Sequence, residues 1–75
     1  MNNMTDDYIL NVDATFSVKV KVGDIVKKGI ELGKNPDGNG TLVSPVSGVV
    51  SEIHFNPQNH TLEIKIERIL PHSKI

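Results

Sequence analysis

The chain has no cysteine and no tryptophan. Without thiols there is no disulfide, no thiolate zinc site and no cysteine nucleophile, so 75 residues must be held by an apolar core alone. Aromatic rings are confined to Tyr8, Phe16 and Phe55, and eight basic residues against nine acidic ones give a formal charge of -1. Binding to a phosphate backbone relies on clustered Lys and Arg, and single-strand binding adds aromatic stacking platforms, so this composition argues against a nucleic-acid partner. No apolar run approaches the ~20 residues of a membrane span, which argues against membrane insertion. The N-terminal stretch Met1 to Asp7 is polar and acidic where a secretory signal would be basic and then apolar. Together these features predict a cytoplasmic chain. The apolar residues are read as short strands broken by turn-formers, so no amphipathic helix is expected.

What is present is alternation and turn chemistry. Phe16 to Val22 alternates strictly, with Val18, Val20 and Val22 on one face and Ser17, Lys19 and Lys21 on the other, as a half-buried strand would. Thr61 to Glu67 does the same, with Leu62, Ile64 and Ile66 inward and Glu63, Lys65 and Glu67 outward. Shorter strands are expected at Tyr8 to Val12, Ile30 to Leu32, Thr41 to Val43 and Gly48 to Phe55. Between them stand turn-formers: Gly23-Asp24, Lys27-Lys28-Gly29, the segment Asn35 to Gly40 with both an Asp-Gly and an Asn-Gly pair, and Asn56 to Asn59. Short strands with turns about every 8–12 residues point to a small sandwich or barrel. A weak internal repeat sets Val20 to Asp24 beside Ile53 to Pro57, and two such β-halves would close one core between them. Residues 1–7 are expected to be a disordered leader, 8–70 one domain and 71–75 a tail beyond the helix- and strand-breaking Pro71. Phe55, Val43 and Val46 join the inward valines and isoleucines as candidate core.

Two segments carry a family resemblance. Val22-Gly23-Asp24-x-Val26-Lys27-Lys28-Gly29-x-x-Leu32, followed by Ser44-Pro45-x-x-Gly48-x-Val50, resembles the paired signature turns of biotinyl/lipoyl domains over roughly residues 16 to 70. The resemblance implies an all-β barrel-sandwich hybrid, a flattened barrel of two halves related by a pseudo-twofold axis, with Gly23, Asp24, Gly29, Pro45 and Gly48 in the family turns. Carrier members hold their prosthetic group on a lysine at the hairpin tip between the two turns. Here that tip is Asn35-Pro36-Asp37-Gly38-Asn39-Gly40, and no lysine occurs between Lys34 and Lys65. An amide link to biotin or lipoate needs a primary amine, which Asp and Asn lack. The wording is similar to non-carrier relatives, found in the N-terminal regions of the C subunit of the Rnf electron-transport complex and of the A subunit of sodium-translocating NADH:quinone reductase.

Other constellations favour plain structure. With the loop taken as Asn56 to Asn59, His54 faces Thr61 and His60 faces Phe55, so the two histidines lie on opposite faces and cannot share an ion. His72 falls in the tail. Asp37-Gly38-Asn39-Gly40 precedes a strand, whereas a phosphate loop opens a helix. Asp24, Lys27 and Lys28 sit in an exposed turn where nothing desolvates them. Ser44, Ser47 and Ser51 have no histidine placed by a nucleophile elbow. Glu31, Glu63, Glu67, Lys65 and Arg68 are expected as cross-strand charge on solvent faces. The expectation is therefore a free-standing or excised, non-enzymatic binding or assembly module. It has no cofactor and no metal, and a protein partner or a second copy is expected beside it. The resemblance sets it as an accessory part of a redox or carrier-dependent multienzyme complex. Two alternatives remain at this point, a biotin or lipoate carrier modified at Lys34 and a small enzyme of unknown type.

Overall fold

A computed structural model describes residues 5–69, which form six strands and no helix. Three long strands, β1 (Thr5–Asp13), β5 (Gly48–Asn56) and β6 (Thr61–Ile69), join the short β2 (Ile25–Val26) in an antiparallel sheet of order β1-β6-β5-β2. A separate antiparallel hairpin, β3 (Glu31–Lys34) and β4 (Thr41–Val43), packs across it, and β1 contacts β3. The architecture is the all-β one expected.

The core is small. Val12, Val26, Leu32, Val50, Ile64 and Ile66 are wholly buried, one or two from each of β1, β2, β3, β5 and β6, and half-buried Leu10, Val18, Val20, Leu42, Ile53 and Leu62 pack around them. In β6 the alternation of the sequence is realised directly, with Ile64 and Ile66 at the centre of the core. In β5 it is interrupted. The register slips between Val50 and Glu52, so that Ser51 is an extra residue, and the slip lets Val50 oppose Ile66 and Ile53 oppose Ile64 on the same inward face. A second slip, between Glu31 and Gly33, leaves Leu32 out of the β3–β4 ladder. Its carbonyl instead accepts the amide of Lys19 at 2.9 Å, tying the preceding segment onto the hairpin.

That preceding segment corrects one expectation. Phe16 to Val22 is not a strand but an irregular segment, with bends at Phe16 and Lys19 and a turn starting at Val22. Val18 and Val20 still turn toward the core, while Val22 is 58 % exposed. Alternation fixes which way side chains point; a ladder also needs a neighbouring strand, and here the Lys19 amide meets only the bulged Leu32. A second correction concerns the start of the domain. Thr5 to Asp7, expected in the leader, belong to β1 and pair with Ile69 to Glu67. A third concerns the core, since Phe55 and Val43 are each 45 % exposed and only Val46 of that trio is among the packed side chains. The expected tail at 71–75, and His72 with it, lies outside the described residues.

Candidate functional site: two turns and a hairpin tip

The two motif turns, distant in sequence, are stitched together by backbone hydrogen bonds. Gly23 has φ 97°, a left-handed conformation that glycine adopts without a Cβ penalty, and from it donates its amide to the Val50 carbonyl at 2.8 Å. Val50 returns an amide to the Asp24 carbonyl at 2.9 Å. Asp24 closes its own turn, its amide donating to the Lys21 carbonyl at 3.0 Å and its carboxylate accepting the Lys21 amide at 3.0 Å. One turn further, Gly29 at φ 94° donates to the Ser44 carbonyl at 2.7 Å, and Ser44 donates to the Ile30 carbonyl at 2.9 Å. The residues that carry the sequence resemblance thus meet in space as structural joints.

The serines beside them are engaged. Ser44 is 1 % exposed, and its hydroxyl donates to the Val46 carbonyl at 2.6 Å across Pro45. The Ser47 hydroxyl accepts the amide of Lys28 at 3.0 Å, and that of Ser51 donates to the Lys65 carbonyl at 3.4 Å. A hydroxyl serving the backbone in this way is held as part of a turn or bulge. Sequence reading missed the Lys28–Ser47 link and the burial of Ser44. The Ser-Pro pair at 44–45, a turn initiator, was the available signal for the second.

The hairpin tip is equally closed. Asn35 donates its amide to the Gly40 carbonyl at 3.0 Å and its side-chain amide to the Asn39 carbonyl at 2.8 Å, while Asp37 accepts the Asn39 amide at 2.9 Å. Gly38 and Gly40 both take positive φ. Lys34 is the last residue of β3, exposed and paired with Thr41, one step below this tip rather than on it.

The family model of the NqrA N-terminal barrel-sandwich hybrid domain matches residues 4–68. The chain belongs to that family. No curated protein and no solved structure matches it. The resemblance carried by the two turns therefore holds at the level of the barrel-sandwich hybrid of NqrA type.

Within this NqrA-type domain the histidines stand differently from the expected register. Asn56 pairs with Thr61, which places His54 opposite Glu63, and puts His60 inside the turn at φ 55°. The His60 ring meets Phe55 edge-on at 5.7 Å. The expected faces His54–Thr61 and Phe55–His60 assumed a loop one residue out of step with the one formed. Of the expected surface charges, Lys65 pairs with Asp7 of β1 at 3.6 Å, and Glu63 accepts a long 3.5 Å bond from the side-chain amide of Asn56. The Asp13 carboxyl is held below its ordinary value, chiefly because it accepts the backbone amide of Thr15 at 2.9 Å, with the Thr15 hydroxyl and the nearby His60 adding to the effect.

Proposed function

We propose that this domain is an unmodified assembly module, and that its setting is the A subunit of a sodium-translocating NADH:quinone reductase. The carrying observation is the tip: a six-residue reversal from Asn35 to Gly40 that has the place of a swinging-arm attachment and no amine to attach to, closed on itself by the hydrogen bonds of Asn35 and Asp37. The family match supports the setting, because its description is of an N-terminal domain of that subunit. A domain whose glycines and serines are spent on joining turns serves by shape and surface; function belongs to such sites and not to the barrel as such. Protein neighbours follow from membership of a multisubunit assembly.

Intact-mass analysis after co-expression with active biotin and lipoate ligases tests the reading. The unmodified mass is expected. A covalent adduct localised to Lys34 would replace the module with a carrier.

A further inference from the structure

Among the described residues the four-stranded sheet ends on β2, whose one strand neighbour there is β5. Ile25 of that strand is 79 % exposed, more than any other large apolar side chain among the described residues that lie outside the core. Beside it runs an open groove of about 440 Å³, lined by Ile25, Val26, Lys27, Ser47, Gly48 and Val49. Its floor is firm, since Val26 is wholly buried beneath it and pairs with Gly48. Its rim is basic. Lys27 and Lys28 are exposed, and among the described residues neither has a carboxylate partner, while the neighbouring Asp24 is taken up by Lys21 at 3.5 Å. The backbone that carries these lysines is fixed by three bonds, from Lys28 to the Ser47 hydroxyl, from Gly29 to Ser44 and from Ile30 to Lys27. A pre-set apolar groove, an open strand edge and two uncompensated cations thus coincide.

We infer that this edge is a docking site for an extended, acidic segment of a protein partner, which adds alongside Ile25–Val26, seats an apolar side chain in the groove and sets carboxylates against Lys27 and Lys28. Strand addition of this kind takes affinity from main-chain bonds and specificity from alternate side chains. The inference rests on the assembly-module reading and names the surface that such a module would use. A second copy fits less well. A two-residue strand offers far less than the roughly 800 Å² per partner of a standard interface, whereas a peptide needs only an anchor and a few backbone bonds.

The probe is a fluorescein-labelled heptapeptide, Asp-Val-Glu-Val-Glu-Val-Asp, titrated with the whole chain and followed by anisotropy. Saturable binding is expected, weaker at higher salt because exposed charges are screened. About tenfold weakening is expected both for Ile25→Ser and for the Lys27→Glu, Lys28→Glu double variant, a loss typical of one anchor contact. Lys34→Glu, at the far hairpin, should bind as the parent does. Ile25 and the lysines are exposed, so folding survives these changes, and circular dichroism verifies it. The inference is overturned by an absence of saturation, by equal affinity for a peptide with Lys in place of each acid, or by variants that bind unchanged. It is also overturned if sedimentation shows a dimer that Ile25→Ser dissolves, which would give the face to a second copy. An adduct on Lys34 would sink the module reading while leaving this titration to stand or fall separately.

Discussion

Lys28 donates its amide to the Ser47 hydroxyl at 3.0 Å, a bond that spans 19 residues of chain and joins the first motif turn to the second. Together with the Gly29–Ser44 and Gly23–Val50 bonds it makes the two turns one unit. The sequence motif is therefore a folding device in this domain before it is anything else.

That device predicts an order of cost among the serines. Removing the Ser47 hydroxyl strands an exposed amide that water can reach, so Ser47→Ala should cost about 0.5–1 kcal/mol. Ser44 is buried, and its hydroxyl serves Val46; Ser44→Ala should cost about 1–3 kcal/mol. Urea midpoints of the two variants check the ranking, and a larger loss at Ser47 would contradict it.

Two glycines should fail for different reasons. A Cβ on Gly48 would overlap the Glu67 carbonyl oxygen of β6, so Gly48→Ala must push apart the central pair of strands, at a cost of about 3 kcal/mol. A Cβ on Gly23 would meet open space, but φ 97° puts an L-residue in the left-handed region, at about 1–2 kcal/mol. Unfolding curves should show Gly48→Ala as the more damaged variant, with Gly23→Ala retaining the parent's steepness.

Most of the strands were legible because their alternation coincides with a partner. Thr61 to Glu67 lies between β1 and β5, and both its edges are paired. Phe16 to Val22 alternates as well, yet the Leu32 bulge gives it one backbone bond at Lys19 instead of a ladder. Pairing is a property of two segments, and a single segment's pattern does not contain it. Thr5 to Asp7 fails in the opposite sense. Their polar composition hides a strand that is dictated by β6, whose Lys65 also pairs with Asp7. The joints of the candidate site were legible as glycines and Ser-Pro, whereas the docking edge at Ile25 was not. Only the sheet order reveals that β2 is a terminal strand.

The core correction carries its own test. Leu32 is wholly buried, so Leu32→Ala should cost about 2–5 kcal/mol, enough to unfold much of so small a domain. Phe55 is 45 % exposed and its ring touches His60 at its edge. Phe55→Ala should therefore fall well below the about 3–5 kcal/mol of a buried phenylalanine. Thermal melts of both variants decide between this placement and a core Phe55.

Acid stability should report on Asp13. Its carboxylate is stabilised mainly by the Thr15 amide, so its folded value lies below the ordinary 3.8. A carboxyl whose value is depressed by folding adds stability that is fully present above the unfolded value and lost as pH falls through the folded one. Asp13→Asn keeps an oxygen for the Thr15 amide and removes the charge. The variant should therefore melt below the parent at neutral pH, and the gap should close as pH drops beneath 3.8. A carbon-detected NMR titration of Asp13 should give a midpoint under that value. A gap that stays constant down to the acid limit would mean that the Thr15 bond holds the turn through geometry and not through charge.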